Sequence, residues 1–375
     1  NNLLLSTDDD WTQVAASTLG SGVIEISNIE DLQKIGNDPS YPLSGDYKVT
    51  QPIDATDTAT WDGGNGFAPI GSLATPFTGT FDGGNHLICG LTINRPTEDF
   101  IGLFGYISDY LSCLIRNVKA SGNITGKDAV GGIVGLDASG QAVSDCSFSG
   151  TVTGNSDVGG VVGNTTHTIS KCFSKGSVIS SGRAGGIVAV GRCTESYSEA
   201  SVSGVDNVGG IVGFGRATYC HATGIVSGND YVGGIIGWVG WGDQNNLYFA
   251  GSVSGSTNVG ALVGGAFSAF TVFDSYFLDT SGPDNGYGSS QTIDEMYLQS
   301  TYAGWDFVNT WKILNGIALP KFIWQNDDVE LDLNGAVIFG DRDTDGSWCI
   351  KRDQGDLVFA KRIGGVWVVS ETIGT

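Results

Sequence analysis

The sequence predicts an all-β protein folded as a parallel β-helix, in which short coils stack into a β-solenoid. The main observation is the phrase Val-Gly-Gly-Ile-Val-Gly, which stands at positions 130–135 and 208–213 and, with one Val/Ile exchange, at 158–163 and 232–237, with degenerate copies beginning at 100, 184 and 259. The copies are 30, 28, 26, 24, 24 and 27 residues apart, and self-similarity at such a period indicates a solenoid, propeller or array. No stretch within the repeats has the apolar period of a helix.

A second phrase keeps step with the first and begins at Cys146, Cys172, Ser196, Cys220 and Leu247. The strands are rich in Val, Ile, Thr and Tyr, and Gly, Asn, Asp and Ser separate them, as expected of short strands joined by turns. A repeat of this size cannot bury an apolar face alone. We therefore expect coils that stack about 4.8 Å apart through backbone hydrogen bonds, with a right-handed helix as the default.

Glycine is abundant in the repeats and makes up 59 of the 375 residues. The doubled glycine of the first phrase is expected to take a positive φ at a corner of the coil. It is also expected to leave room for the backbones of the coils above and below.

Other elements are predicted at both ends of the solenoid. Ser27-Asn-Ile-Glu30 is a capping-box pattern and Gly36 a stop signal, which predicts a short helix that covers the open edge of the first coil. After the repeats, Trp305, Trp311 and Trp324 are expected to cover the last coil. The predicted parts are an N-terminal cap with the first coils, the repeat solenoid, an aromatic cap and a small β tail, at 1–95, 96–280, 281–326 and 327–375.

The formal net charge is −22, although only 15% of the residues are charged. This argues against nucleic acid as a partner, because nucleic-acid binding requires clustered Lys and Arg, and against adhesion to anionic lipid. Solubility explains the charge, since an acidic surface keeps long-edged β proteins apart; attraction of cations is the alternative. No run of 18 apolar residues occurs, so no transmembrane helix and no membrane insertion are expected.

The seven cysteines are odd in number and have no metal-binding spacing such as Cys-x-x-Cys. Cys146, Cys172 and Cys220 share one repeat position with Ser196 and Leu247. Such a position is expected to face inward, with cysteine acting as a small apolar residue and a free thiol. A disulfide between Cys146 and Cys172 on adjacent coils is the alternative.

Several segments resemble the GLUG-repeat proteins. They are the repeated phrase itself, Leu32-Gln-Lys-Ile35, Pro76-Phe-Thr-Gly-Thr-Phe-Asp-Gly-Gly-Asn-His-Leu-Ile88, Ala303-Gly-Trp-Asp-Phe-Val-Asn-Thr-Trp-Lys-Ile313 and Leu319-Pro-Lys-Phe-Ile-Trp324. The likeness covers residues 23–325 and implies a β-helical surface or secreted protein of the adhesin type. It supplies no catalytic residues.

Residues 327–375 have a different pattern, with more charge and no repeats. Asp345-Gly-Ser-Trp348, Asp356-Leu-Val-Phe359 and Val366-Trp-Val368 are separated by breaks that contain glycine, which predicts an antiparallel meander of three or four strands. This pattern resembles the C-terminal segment of bacteriophage tail fibres and implies a virion protein.

Hydrolysis of a polysaccharide requires two carboxylates beside the scissile bond. The acidic residues of the repeats are therefore the candidates for catalysis. Asp137 and Asp243 follow equivalent glycines but lie four coils apart, and Glu195 and Glu199 are expected to form a solvated edge. His167 fits a turn better than the base of a lyase. No catalytic residue is predicted, and a depolymerase is kept as an alternative function.

The candidate metal site is Asp341-Arg-Asp-Thr-Asp-Gly346. In it, Asp341, Asp343 and Asp345 take the first, third and fifth places of a calcium loop. The bidentate Glu expected at the twelfth place is missing, since Arg352 stands there. A solvated hairpin turn is the alternative to a Ca2+ site.

Aromatic residues supply the candidate binding surface. Phe214 and Trp238 directly follow two copies of the phrase, Trp241 lies three residues further on, and Tyr231 precedes one copy. If the residue after the phrase points outward, these rings form an exposed patch on neighbouring coils that suits the C–H faces of sugars. The alternative is that the rings pack against a flanking loop or a partner chain.

The sequence therefore predicts a non-enzymatic receptor-binding, glycan-binding or structural fibre protein, most simply a component of a phage tail fibre or tailspike. Its partner would be a host cell-surface polysaccharide or receptor, and its location extracellular, on a virion or a cell surface. A homotrimer is expected by analogy with fibrous tail proteins. A bacterial cell-surface adhesin and a polysaccharide depolymerase are the alternatives.

Overall fold

The computed structural model describes residues 22–108, 113–139, 143–267 and 270–325, and the backbone of the strands between 329 and 373. The metal candidates Asp341, Asp343 and Asp345 lie outside the described residues. The chain divides into two compact units between Trp305 and Asp306, a point within the segment 281–326.

The first unit is a parallel β-solenoid of about nine turns, which confirms the predicted fold class. Its first coils contain β1 Ile24–Ile26, β2 Asp46–Val49, β3 Ile53–Asp54, β4 Thr80–Asp82, β5 Leu87–Asn94, β6 Phe104–Ile107, β7 Leu114–Arg116 and β8 Lys119–Thr125. The repeats contain β9 Asp128–Gly131, β10 Val134–Asp137, β11 Val143–Ser144, β12 Ser147–Gly154, β13 Ser156–Gly159, β14 Val162–Ser170, β15 Phe173–Ser180, β16 Ala184–Gly185, β17 Val188–Ser198, β18 Ser201–Ser203, β19 Asp206–Gly209, β20 Val212–Ala222, β21 Ile225–Ser227, β22 Asp230–Gly233, β23 Ile236–Val239, β24 Gln244–Phe249, β25 Ser252–Ser254, β26 Thr257–Gly260 and β27 Val263–Ala266. The last turns contain β28 Val272–Phe273, β29 Tyr276–Leu278 and β30 Ser289–Gln291.

Two sheets form the walls of the solenoid. The small sheet has six strands, β9, β13, β16, β19, β22 and β26, and the large sheet has 24. The repeated phrase is the corner between them, because its first Val and Gly end a strand of the small sheet and its second Val begins a strand of the large one. The apolar residues of the phrase face inward and are fully buried, for example Val208, Ile211 and Val212. Stacked copies of the phrase thus build a continuous core.

The doubled glycines of the phrase serve close packing rather than a left-handed corner. The positive φ falls one residue before the phrase, at Ala129, Asp157, Asn207 and Tyr231, where it is 53°, 54°, 54° and 51°. A Cβ on Gly210 would overlap the carbonyl oxygen of Gly234 in the next coil. The predicted room for neighbouring backbones is confirmed, and the predicted positive φ at these glycines is wrong because the preceding residue makes the turn.

A second line of left-handed residues precedes the cysteine position, with Asp145, Lys171, Glu195, Tyr219 and Asn246 at φ values of 45° to 54°. The side chain of the next residue turns inward, and Cys146, Cys172 and Cys220 are buried free thiols. Each also lies near the backbone oxygen two residues earlier: Cys172 Sγ is 3.3 Å from Ser170 O, and Ser196 Oγ donates to Thr194 O at 2.7 Å. Cysteine and serine at this position thus add a hydrogen bond to the backbone, while Leu247 fills the same buried place without one.

In the coils from residue 130 to residue 278, differences in repeat length enter at one corner, within the large sheet. Asn164 and Thr168 are four positions apart, but their partners Val190 and Arg192 are two apart. In the next such case, Gly215 and Thr218 pair with Val239 and Asn245, so three extra residues stand between β23 and β24. In the rest of these coils, the in-register backbone pairing fixes the length. The first coils differ, with a register shift between Ile88 and Leu91.

A column of flat rings runs along the outer side of the large sheet, one residue after the cysteine position. Its members are Phe173, Tyr197, His221 and Tyr248, whose centroids are 4.3, 5.0 and 4.6 Å apart, with interplanar angles of 24°, 13° and 6°. Tyr197, His221 and Tyr248 are 9%, 3% and 1% exposed. We call this set the aromatic column.

Short helices stand near both ends of the solenoid. The helix α1, Ile29–Lys34, is capped by the side chain of Asn28, which accepts from Asp31 N at 2.8 Å, one residue later than the predicted capping box. Its Ile29 and Leu32 are buried in the core. A 3₁₀ segment, Thr56–Gly64, bends at Trp61, and another spans Gln299–Thr301.

The helix α2, Ile293–Met296, has a complete capping box between Thr292 and Glu295. The residues that follow it pack Tyr302 against Tyr276 and Trp305 against Tyr248, with ring centroids 5.2 and 6.3 Å apart. Trp305 therefore extends the aromatic column at its last coils.

The second unit contains the hairpin of β31 Trp311–Lys312 and β32 Lys321–Phe322 and a five-stranded antiparallel meander. In the hairpin, Trp311 stacks on Phe322 and Phe322 on Trp324, so these two tryptophans have partners within their own unit. The meander contains β33 Val329–Leu331, β34 Val337–Phe339, β35 Trp348–Asp353, β36 Asp356–Ile363 and β37 Val366–Ile373. It has one strand more than the largest predicted number, the short β33 of three residues.

Candidate functional site

The residue that follows the repeated phrase points outward along the large sheet. Leu136, Asn164, Val190, Phe214 and Trp238 are register partners on successive coils, and all are half-buried. Phe214 and Trp238 are thus neighbours in one line, as the sequence predicts.

Tyr231 joins this line from the small sheet. Its left-handed backbone directs its ring to Trp238, with the two centroids 3.9 Å apart and the planes at 63°. Asp157 stands in the equivalent place three coils earlier, where its carboxylate accepts from Asn164 Nδ2 at 3.1 Å. The room for the tyrosine ring comes from Gly265, where a Cβ would meet Tyr231 Cδ1.

Trp241 comes from the extra residues between β23 and β24. Gly242 turns the chain there with a φ of 68°. The fully buried Gln244 holds the turn: its Oε1 accepts from Ala217 N at 2.9 Å, and its Nε2 donates to Gly242 O at 2.7 Å. The turn places the Trp241 ring 5.8 Å from Phe214 at 71°.

Phe267 completes the surface on the next coil and was not identified from the sequence. Its ring centroid is 5.2 Å from that of Trp238, at 62°. Register could have found it, because Trp238 pairs with Gly265, two residues before Phe267. We call Phe214, Tyr231, Trp238, Trp241 and Phe267 the aromatic patch.

The aromatic patch leaves apolar surface open to solvent. Phe267 is 76% exposed and Trp241 36%, and each contact within the patch is edge to face. An edge-to-face pair covers the face of only one ring, so part of the ring surface stays free. Such faces can bury the C–H surface of a flat ligand such as a pyranose.

Two arginines lie at one edge of the aromatic patch. Arg192 and Arg216 are register partners on β17 and β20, and the Arg192 guanidinium lies 5.3 Å from the centroid of the Trp241 ring. Arg216 Nε donates to the backbone oxygen of Asp243 at 2.9 Å, while the Asp243 carboxylate accepts from Thr271 N at 2.8 Å. The other edge, beside Tyr231, is acidic.

At that acidic edge, Asp206 and Asp230 are register partners on β19 and β22. The Asp230 carboxylate accepts from Thr257 Oγ1 at 2.7 Å, Asn258 Nδ2 at 2.7 Å and Tyr231 N at 3.0 Å. These bonds, with the one from Thr257 the largest, hold the pKa of Asp230 below its ordinary value. The general acid of a glycosidase needs a raised pKa, so Asp230 does not fit that role.

Asp137 is fully buried beneath the line of outward residues. Its Oδ1 accepts from Ser139 N and Ser139 Oγ at 2.9 and 2.6 Å, and its Oδ2 accepts from Thr165 Oγ1 at 2.8 Å. Burial raises the pKa of this carboxyl against those hydrogen bonds. A carboxyl enclosed in this way cannot reach a polysaccharide. Glu199 forms a salt bridge with Lys175 at 3.2 Å.

In the part of the chain that the structure describes, no group of three His, Cys, Asp or Glu side chains is arranged to hold a metal ion. The calcium loop proposed for Asp341, Asp343 and Asp345 lies outside those residues and stays a prediction.

Comparison with known proteins gives partial likenesses. The chain is 30% identical over 175 residues to Halomucin of Haloquadratum walsbyi, an alignment that covers 38% of this chain and 2% of Halomucin. It is 37% identical over 90 residues to a proposed Gly-rich membrane protein of Evansella cellulosilytica, covering 24% of this chain and 10% of that protein. The chain thus spans only a small part of the length of these relatives.

No family model matches the chain, so its resemblance to GLUG-repeat proteins and to phage tail fibres stays a prediction. A solved structure of a proposed immunoglobulin A1 protease from Bacteroides ovatus is similar over 80% of this chain and 92% of that one, with 18% identity and a TM-score of 0.44. In the described residues, the helices fall short of the length and apolar character that crossing a bilayer requires.

Proposed function

We propose that this chain is the β-solenoid part of an extracellular surface or fibre protein and that it binds a glycan through the aromatic patch without cleaving it. The observation that carries the proposal is the open surface of Trp241 and Phe267 beside Trp238. An apolar surface of this kind on a solvent-exposed face of a sheet indicates a binding site. Sugars suit it because their C–H faces pack against aromatic rings while their hydroxyls stay in water.

Two kinds of protein that could contain this chain fit the proposal. The pattern in the tail, from Asp345 to Val368, favours a phage tail fibre or tailspike component, whereas the relatives favour a protein of a cell surface, such as an adhesin. Gold-labelled antibodies against the chain would separate the two, since they would decorate virions in the first case and cell envelopes in the second. A homotrimer is a further proposal, and a sedimentation mass equal to that of one chain would remove it.

Binding and cleavage are tested together. The purified chain is incubated with capsular polysaccharide and lipopolysaccharide preparations, and both retention on the glycan and new reducing or unsaturated ends are measured. We expect retention without product, and we expect Trp241→Ala to weaken binding about thirtyfold, as for the loss of a central aromatic anchor. Leu73→Ala is the control, because Leu73 is also exposed, at 64%, but is not part of the patch.

A depolymerase is the second candidate, favoured only by the neighbouring carboxylates Asp206 and Asp230 beside Tyr231. Release of product by the wild-type chain would overturn the binding proposal. The variants Asp206→Asn and Asp230→Asn would then show whether this pair performs the cleavage.

A further inference from the structure

Arg192 and Arg216 are paired in register at the edge of the aromatic patch. Among the described residues, neither the Arg192 nor the Arg216 guanidinium forms a salt bridge. Like charges on directly paired strand residues repel each other. The pair therefore stands as an uncompensated positive site on a chain that has 18 basic and 40 acidic residues.

The guanidinium of Arg192 is placed so that it can bind an anion. Its Cζ lies over the Trp241 ring, 5.3 Å from the centroid. The N–H groups of a guanidinium form a planar fork that matches a carboxylate with two parallel hydrogen bonds. The side chain of Arg192 is exposed, so this fork opens to solvent.

Arg216 adds a second cation that is already oriented. Its Nε donates to the backbone oxygen of Asp243 at 2.9 Å, in the same turn that carries Trp241. This bond fixes the guanidinium and leaves its terminal N–H groups for a ligand. Among the described residues, neither Glu195 nor Asp243 forms a salt bridge with the pair, and the Asp243 carboxylate accepts from Thr271 N instead. Asp230 lies at the opposite edge, beside Tyr231.

We propose that the aromatic patch takes a carboxylated glycan, with a pyranose ring on the aromatic surface and the carboxylate of a uronic or sialic acid on Arg192 and Arg216. This inference rests on the proposed function and names its ligand class. The arginines lie at one edge of the patch, and Asp206 and Asp230 lie at the other. The sugar must therefore bind in one orientation, with its carboxylate on the arginine side.

The test compares acidic polysaccharides with their neutral counterparts. Hyaluronan, alginate and polygalacturonate are presented before and after chemical reduction of their carboxyl groups, and sialyllactose is presented beside lactose. We expect at least one acidic member to bind about tenfold more tightly than its neutral counterpart. That preference should fall as salt rises from 50 mM to about 500 mM, because exposed charges are screened over that range.

The arginine variants locate the preference. Arg192→Gln should remove about tenfold of the affinity for the acidic member and leave the neutral member unchanged. Arg216→Gln should reduce binding of the acidic member more than that of the neutral member, because Arg216 also bonds to the turn that carries Trp241. Arg192→Lys keeps the charge without the fork and should restore only part of the loss. Lys175→Gln, which removes a charge outside the patch, should have no effect on either member, and circular dichroism shows that each variant is folded.

The outcomes separate this inference from the proposed function. Equal binding of acidic and neutral members, or loss of both on Arg192→Gln, overturns the carboxylate site and leaves glycan binding in place. Binding of neutral glycans alone also overturns it. If no glycan, acidic or neutral, is retained at any salt concentration, both proposals fail.

Discussion

Two sets of aromatic rings on the same sheet differ in how they stack. In the aromatic column, Tyr197, His221 and Tyr248 lie nearly parallel, at 13° and 6°, and are almost fully buried. In the aromatic patch, the contacts stand at 62° to 71° and Phe267 stays 76% exposed. Parallel stacking in register uses both faces of each ring for the fold. Edge-to-face packing leaves faces unused, and unused faces are what a ligand needs.

The backbone explains this difference. The column stands where every strand pairs residue by residue, so each ring lies directly above the next one. The patch stands beside the corner where extra residues enter, and Trp241 and Tyr231 reach it from a turn and from the other sheet. Exact register thus produces a structural stack, and a break in register produces an open surface.

The largest expected effect is loss of the aromatic column. Tyr248→Ala removes a ring that is 1% exposed and is in contact with His221, Tyr302 and Trp305. We expect the free energy of unfolding of the solenoid to fall by about 3–5 kcal/mol, measured by urea titration of the fluorescence. Tyr248→Phe, which keeps the ring, should retain most of the stability. If both variants unfold at the same urea concentration, the column is not a structural stack.

The second-largest effect is expected when the turn that carries Trp241 loses its supporting side chain, Gln244. Gln244→Leu removes the partner of the buried Ala217 N and of Gly242 O, which lies at the surface. The unpaired buried N–H should cost about 2 kcal/mol of stability, and glycan affinity should fall as well because the turn loses its support. Gln51→Leu is the matched control, since Gln51 makes an exposed bond to Ser27 O. Lost stability with unchanged affinity would show that Gln244 does not position the turn.

Phe267 should show the opposite behaviour to Tyr248. Phe267→Ala removes a ring that is 76% exposed, so we expect a change of less than about 0.5 kcal/mol in the free energy of unfolding. Glycan affinity, measured by calorimetry, should fall about threefold to tenfold because a face of the patch is lost. A variant that unfolds easily but binds normally would reverse the contrast between patch and column.

The smallest effect is expected on the inward side of the same sheet, at Asp137. Burial raises the pKa of its carboxyl in the folded state, so the folded chain holds a proton that the unfolded chain has lost. The stability that this proton contributes is present at low pH and is lost as pH rises from about 4 through the folded pKa. The free energy of unfolding of Asp137→Asn, measured by urea titration, should not show that decline. Relative to the wild type, the variant should become more stable as pH rises over this range.

Asp54→Asn is the control of opposite sign. Hydrogen bonds from the backbone and side chain of Thr56 lower the pKa of Asp54, so its contribution is present at neutral pH and is lost as pH falls. A wild type and an Asp137→Asn variant with parallel pH profiles would show that folding does not raise the pKa of Asp137.

The sequence predicted the elements that repeat and missed those that depend on exact position. The phrase and its spacing predicted the coils, and the residue after the phrase correctly predicted the line of Phe214 and Trp238. The rings of the aromatic column directly follow Cys172, Ser196, Cys220 and Leu247 in the sequence, but only the structure shows that they stack face to face.

Other features could not be predicted because they depend on contacts distant in sequence. The left-handed residues before each phrase include Ala129 and Tyr231, types that seldom adopt positive φ, so the doubled glycine was the natural but wrong choice. Gln244 has an ordinary place in the sequence, and only the structure shows its bond to Ala217 in the previous coil. The edge-to-face angles that open the patch follow from such contacts.

The corner that admits extra residues gives the solenoid an exchangeable part. Backbone pairing fixes the remaining walls, yet between β23 and β24 the chain accepts three more residues and returns to register at Asn245. Peptides of other lengths and compositions could be grafted there with little cost to folding, since loops tolerate insertion far better than strands. A set of such chains could share one solenoid scaffold and bind different ligands through the inserted loops.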